Sequence, residues 1–360
     1  MTHPHPTSAT AGSSSAIHPS ASTPNGLYHQ GRPEPEPASA PIPIEQVGPD
    51  AQRIINNIEK VIAGKYEVIR LGVTVLLAEG HLLIEDVPGV GKTTFAKALA
   101  RSIDCSVRRL QFTPDLLPSD VTGVSIYNAE STDFEFKPGP VFANIVLGDE
   151  INRASPKTQA ALLECMAERQ VTVDGTRYEL QSPFLVLATQ NPVEMEGTYA
   201  LPEAQRDRFT AKISLGYPDR NAEIAMLSDQ TTTVDPLTVL EAVSDAAHIR
   251  ALIDTVRGVH VAEAVKGYVV ALAEASRNHA EIRLGASPRA SLHLLRTAKA
   301  AAAMSGRDFV LPDDVQELAV AVLAHRIIPA PAATVAGRAP EDLLAEIVAK
   351  VPIPSASQRA

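Results

Sequence analysis

The feature that most constrains this chain is a short apolar run ending in a glycine-bearing turn and a helix. His81-Leu82-Leu83-Ile84-Glu85 reads as a buried strand, Asp86-Val87-Pro88-Gly89-Val90-Gly91-Lys92-Thr93 as a tight loop, and 92–103 as the helix that follows. The sequence matches a phosphate-binding loop from its second half onward. Such a loop must turn its backbone N–H groups toward phosphate oxygens. Gly89 and Gly91 permit the backbone angles this needs, and the helix presents its positive N-terminal end to the same anion. Pro88, Gly89, Val90, Gly91, Lys92, Thr93 and Thr94 are therefore the candidate nucleotide cradle. Lys92 is expected to reach the β- and γ-phosphates, and Thr93 to offer its hydroxyl to Mg2+. Asp86 stands where a glycine is usual, at a position that shapes the turn without touching phosphate.

Three more apolar runs fit strands: Val107–Phe112, Asn144–Leu147 and Pro183–Thr189. The helix 156–169 lies between the second and third, with Ser155 as its N-cap and Pro156 in its first turn. Alternating strands and helices predict an α/β fold with a parallel sheet, whose ligands bind at the carboxyl edge. The run from Ile145 ends in Asp149 and Glu150, so two carboxylates reach that edge. Asp149 is the candidate for the Mg2+ shell, and Glu150 for orienting or deprotonating the attacking water. Leu187-Ala188-Thr189-Gln190-Asn191-Pro192 also runs from a strand into polar residues. Asn191 is either a partner of the γ-phosphate and the water or half of an Asn-Pro turn, and spacing alone favours the turn. Hairpins are expected at 123–136 and at 170–178, the latter around Asp174-Gly175.

Residues 1–44 hold nine of the 28 prolines, four of the ten His and no Lys, and read as a disordered tail without metal-ligand spacing. Helices are expected at 48–63 and 67–79, opening an α/β domain over 45–230. Gln230–Pro236 is a linker candidate. Residues 231–350 form a second domain, read as Ala- and Leu-rich helices throughout, and 351–360 a flexible end. Hydrophobic residues at 45% and charged residues at 21% fit a soluble globular protein. Cys105 and Cys165 make no CxxC, which excludes a zinc ribbon or disulfide framework and fits a reducing compartment. No apolar run is long enough to span a bilayer, and no secretory signal opens the sequence, so a cytoplasmic protein is expected. A net charge of −10, no Lys/Arg-rich run, 4% aromatics and no Trp argue against nucleic acid as the partner.

With these motifs in hand, residues 81–218 resemble the AAA+ ATPase module of the MoxR family. The resemblance rests on the loop at 86–93, on Gly139 through Arg153, on Ser155 through Glu164, and on Asn191 through Phe209. It implies a P-loop NTPase core with a helix-2 insert and a pre-sensor-1 hairpin, followed by an all-α lid domain. It makes Asn191 the sensor-1 residue, reversing the preference from spacing. It assigns Arg208 as an arginine finger acting on a neighbouring subunit's nucleotide, and Arg289, in Gly285-Ala286-Ser287-Pro288-Arg289, as a sensor-2 residue reaching the nucleotide across the domain cleft. Arg206 stands where the family usually has an apolar residue. On a helix it would point about 200° from Arg208, which leaves it as a surface or rim charge. Arg153 is a weaker candidate for a contact between subunits. Ala200 replaces a residue that is often Pro.

The resemblance implies Mg2+-dependent ATP hydrolysis by a homo-oligomeric ring, a hexamer in the family. It also implies a chaperone-like role in remodelling or maturing protein complexes, with a partner carrying a von Willebrand factor A domain. Three alternatives remain at this point: a nucleotide-binding switch with little hydrolysis, the motor subunit of a metal chelatase, and a ring ATPase acting on DNA.

Overall fold

The apolar runs read from the sequence become neighbouring strands of one parallel sheet. The structure, a computed structural model, describes residues 42–87, 89–191, 199–218, 220, 223, 224 and 236–354. The tail expected over 1–44, Pro88, most of the linker candidate and the last six residues therefore lie mainly or wholly outside the described residues. Two helices open the described chain, α1 (Ile44–Glu59) and α2 (Tyr66–Leu77). α1 starts earlier than its apolar spacing suggested, directly after Pro43, and buries Val47, Ala51, Ile54, Ile55 and Ile58 along one face.

The sheet and its connections follow: β1 (Leu82–Glu85), α3 (Lys92–Ser102), β2 (Val107–Gln111) and the short helix α4 (Pro118–Thr122). The first hairpin is β3 (Gly123–Asn128) with β4 (Asp133–Pro138). Next come β5 (Ile145–Asp149), α5 (Pro156–Glu168) and the second hairpin, β6 (Gln170–Val173) with β7 (Thr176–Glu179). The core ends with β8 (Leu185–Gln190), α6 (Glu203–Arg206) and β9 (Ala211–Ile213). Among the described residues the main sheet has five strands in the order β2-β5-β8-β1-β9, all parallel. β9 is a strand the sequence pattern did not disclose. Three residues are too few to show an alternation, and it is recognised only by its pairing with β1.

Side chains alternate across the sheet and so build two cores. Leu82, Ile84, Leu147 and Leu187 face α1, α2 and α3, while Leu83, Val146, Val186 and Ala188 face α5. Ser155 caps α5 as expected, its Oγ accepting Thr158 N–H at 3.3 Å.

The C-terminal part contains α7 (Ala246–Arg257), α8 (Glu263–Arg277), α9 (Pro288–Met304), α10 (Pro312–Leu323), α11 (Pro331–Val335) and α12 (Pro340–Lys350). It is not helical throughout. β10 (Ile282–Leu284) pairs antiparallel with β11 (Ile328–Pro329), again too briefly to leave a periodic signal. α9 packs on α1, α2, α7, α8 and α10. Leu252, Leu272, Leu294 and Leu318 of these helices belong to the same apolar cluster as Ile54, Val73 and Phe95. The α/β core and the helical part thus share a continuous core rather than a wet interface. Among the described residues no helix is long and apolar enough to cross a membrane.

Candidate active site

The strand order fixes what meets at the carboxyl edge. β1 runs into the phosphate loop, β8 beside it into Asn191, and β5 beside that into Asp149 and Glu150. The chain crosses from β1 to the far edge, steps back, and later adds β9 on the other side of β1. Such a reversal opens a crevice at the carboxyl ends.

In the loop, Gly89 has φ +87° and Gly91 φ +94°. These are left-handed values that other L-residues reach only with strain, so glycine is required by the backbone angle. Gly91 then leads into α3, with Lys92 and Thr93 in its first turn. Lys92 Nζ donates to the backbone carbonyl of Asp86 at 2.8 Å. Val90 packs against the apolar cluster, and Thr94 is half-buried in α3. Pro88 lies outside the described residues.

Asp86 does more than occupy a turn position. Its Oδ2 accepts Leu215 N–H at 2.6 Å, Gly216 N–H at 2.9 Å and the Ser214 hydroxyl at 3.2 Å. Its own N–H donates to Gln190 O at 3.3 Å. The carboxylate therefore ties the start of the loop to the segment after β9, and its backbone to the end of β8.

The acidic pair is organised by residues the sequence reading did not single out. Thr189, 1% exposed on β8, donates its hydroxyl to Asp149 Oδ1 at 3.2 Å and accepts Glu150 N–H at 3.0 Å. Asp149 Oδ2 is held by Arg109 Nε at 2.6 Å. Glu150 has φ +58°, an uncommon backbone state for a non-glycine residue. Its Oε2 accepts Gln111 Nε2 at 2.8 Å and lies 3.2 Å from Arg153 Nε. Arg153, a candidate for contact between subunits, is thus paired with Glu150 of its own chain. Gln159, fully buried, donates to Ile151 O and Ala154 O at 3.0 and 3.2 Å and braces the turn after Glu150. A polar Thr inside an apolar strand was the one local signal for Thr189. Gln111 and Gln159 gave none.

Asn191 is 6% exposed, directly beyond β8. Residues 192–198, the centre of the Asn191–Tyr199 motif, lie outside the described residues.

Comparison with known proteins accords with this geometry. Residues 81–211 match the family model for the ATPase family associated with various cellular activities (AAA), and residues 274–347 match that for an AAA lid domain. The chain is 49% identical over 310 residues to the uncharacterized protein YeaC of Bacillus subtilis, covering 86% of this chain and 97% of that protein. It is 38% identical over 312 residues to the chaperone MoxR1 of Mycobacterium tuberculosis, covering 84% and 82%. A crystal structure of a Cytophaga hutchinsonii protein superposes with a TM-score of 0.80 at 40% identity, covering 87% of this chain and 97% of that one. The chain belongs to the MoxR family of AAA+ ATPases.

In MoxR terms the α/β core is the ATPase module, β3 and β4 form the helix-2 insert, and the helical part is the lid. The finger candidate, Arg208, follows α6 in a turn. Because α6 ends at Arg206, the expectation that residues 206 and 208 diverge on one helix does not apply. Arg208 is half-buried, and its side chain makes no hydrogen bond or ion pair among the described residues. Arg206 is not a plain surface charge. It lines a cavity of about 230 Å³ between core and lid with Glu85, Gln190, Lys212 and His325. Its Nε is buried without a partner among the described residues. Arg289 is exposed on the first turn of α9. Ser287, two residues earlier, donates to Asp207, so the start of α9 lies beside the segment bearing Arg208.

The residues present fit a nucleotide with its metal. A helix N-terminus behind two left-handed glycines suits phosphate. Thr93 and Asp149 offer the hard oxygen ligands that Mg2+ prefers. The carboxylate of Asp149 is oriented there by Thr189 on one oxygen and Arg109 on the other.

Proposed function

We propose that this protein hydrolyses ATP with Mg2+ as an oligomeric ring, each site being completed by Arg208 of a neighbouring subunit. The observation that carries this reading is the convergence of the phosphate loop, the Asp149–Glu150 pair and Asn191 on the adjacent strands β1, β5 and β8, while Arg208 stands unpaired among the described residues. The backbone N–H groups of residues 89–93 and Lys92 bind the phosphates. Thr93 and Asp149 would hold Mg2+, which when bound neutralises charge on the phosphate oxygens. Glu150 orients the water and takes its proton, with Thr189 fixing the backbone at that point. Asn191 holds the water against the γ-phosphate. Arg208 stabilises charge on the transferring phosphoryl group in the neighbour's site. Arg289, in the first turn of α9, reaches the nucleotide across the cleft between core and lid, as the sensor-2 resemblance implies.

The domain division at 45–230 and 231–350 belongs to this reading, with the lid as the part that moves. The chaperone-like role, the remodelling of protein complexes with a von Willebrand factor A domain partner, comes from the family. A cytoplasmic setting fits the two free cysteines, Cys105 and Cys165, whose thiols burial pushes up to about 12.

The test is steady-state ATP hydrolysis against protein concentration for wild type, Glu150→Gln and Arg208→Ala. Wild-type specific activity is expected to rise with concentration. Both variants are expected to lose at least about a hundredfold in turnover, while Glu150→Gln still binds ATP. Full activity retained by Arg208→Ala overturns the shared site.

A further inference from the structure

The segment carrying Arg208 is gripped by the lid of its own subunit. Asp207 accepts the Ser287 hydroxyl at 2.8 and 2.9 Å on its two carboxylate oxygens, and Arg326 Nε at 3.0 Å. The carbonyl of Phe209 accepts His325 Nε2 at 3.1 Å and also Arg326 Nη2. Thr210 pairs its hydroxyl with His293 Nδ1 at 2.8 Å, and its carbonyl accepts Arg326 Nη1 at 3.2 Å. Lid side chains thus hold the residues on both sides of Arg208.

Arg326 is the centre of this grip. Its side chain is only 2% exposed, and burying a guanidinium is costly unless each donor is satisfied. Here the donors go to the Asp207 carboxylate and to carbonyls of residues 207, 209, 210 and 322. Four of those five acceptors lie in the finger segment. Ser287 adds a second link. The same hydroxyl that binds Asp207 accepts Ala290 N–H at 3.1 Å and so caps α9. A shift of α9 therefore pulls on Asp207, the residue before Arg208.

Building on the shared-site reading above, we infer that Asp207 is a positioning residue: through Ser287 and Arg326 it lets the lid of each subunit set the place of Arg208 in the neighbour's site. Arg208 itself needs no lid contact, since Asp207 and Phe209 fix the backbone from which it reaches outward. A misplacement of about 1 Å is enough to lose much of the benefit of a positioned catalytic group.

The experiment uses full-length chains in mixed assemblies. Glu150→Gln subunits cannot hydrolyse but donate a finger, and Arg208→Ala subunits lack a finger but keep their catalytic glutamate. Mixing the two restores activity at the interfaces where one donates to the other. Asp207→Asn, which keeps the shape of the side chain, is then added to one parent at a time. In the Glu150→Gln donor it is expected to lower the restored activity about tenfold with the KM for ATP unchanged. In the Arg208→Ala acceptor it is expected to leave the restored activity as it was. Ser287→Ala in the donor is expected to act in the same direction, and Ser287→Thr to recover the activity. An equal fall in both positions, a fall in the acceptor only, or no fall in either overturns the inference. If the unmodified parents fail to complement, the shared site itself falls, and the inference with it.

Discussion

Thr189 illustrates how much of this site depends on one small side chain. Its hydroxyl joins the carboxylate of Asp149 to the backbone of Glu150, at the point where that backbone takes a left-handed angle. Thr189→Val keeps the shape and removes both bonds, leaving Glu150 N–H without its acceptor. A loss of about 1–2 kcal/mol in stability is expected, measured by denaturant unfolding. Turnover is expected to fall about tenfold or more while ATP affinity stays within a few fold, because the phosphate loop is untouched. Thr189→Ser, which restores the hydroxyl, is expected to recover most of the turnover. Asp86 supports a second prediction. Glycine is the usual residue there, yet Asp86→Gly is expected to weaken this protein, since it strips the N–H groups of Leu215 and Gly216 of their acceptor. The cost is about 2 kcal/mol or more, and nucleotide affinity falls as the loop loses its anchor. Unchanged ATP binding and stability in calorimetry would contradict the role given to this carboxylate.

At the level of elements, the first hairpin and the sheet behave differently. β3 and β4 pair along their whole length, but Ile126, Tyr127 and Phe134 are exposed, and firm packing begins only at Phe136, stacked on Tyr178 with ring centroids 4.2 Å apart. Replacing residues 126–135 with Asn-Gly is expected to leave the thermal midpoint and basal ATP hydrolysis nearly unchanged. Phe136→Ala is expected to destabilise by roughly 1 kcal/mol or more, because it removes an aromatic pair. A comparable loss from the tip replacement would mean that the tip packs on the core. The same contrast explains what the sequence could disclose. β1, β5 and β8 are buried on both faces, so each reads as a continuous apolar run, and the residues that follow each run fall at one edge. Both hairpins alternate around recognisable turns. β9 and the β10–β11 pair have three residues or fewer, and their identity lies in the partner strand. The bonds that organise the site were hidden for a related reason. Thr189 meets Asp149 across 40 positions, and Asp86 meets Leu215 across 129. No local pattern records such pairings. At Asn191 spacing alone favoured an Asn-Pro turn, and only the family resemblance favoured a role at the nucleotide.

For the molecule as a whole, the core and lid are joined around neutral imidazoles, and that makes stability depend on pH. His81 Nδ1 accepts Val186 N–H at 3.0 Å and its Nε2 donates to Met166 O at 3.2 Å, so protonation would set one N–H against another. Burial pushes His81 down to about 4 from its ordinary 6.5. Burial, with Arg326 nearby, also holds His325 well below that ordinary value. His293 is lowered in the same way, by burial first and by Arg326 next. Above pH 6.5 both folded and unfolded chains leave these rings neutral, and their contribution to stability is fully present. As pH falls below 6.5 the unfolded chain takes up protons that the folded chain refuses, so stability is lost progressively, for His81 down to about pH 4 and for His293 to lower pH still. For His81 alone the loss is on the order of 3 kcal/mol. The net charge of −10 works the other way, because mild acid relieves repulsion among surface carboxylates. That relief is spread over exposed groups and screened by salt, so it is the smaller effect at physiological ionic strength. Denaturant midpoints are therefore expected to be level from pH 8 to 6.5 and to fall steeply between 6.5 and 4.5. A profile that stays level to pH 5 would show that the rings take up protons in the folded state. His293 and His325 both bond the 209–210 segment next to Arg208. Because the folded chain keeps both rings neutral, the loss of ATP hydrolysis that comes from these bonds is expected to track global unfolding, measured on the same samples, rather than precede it.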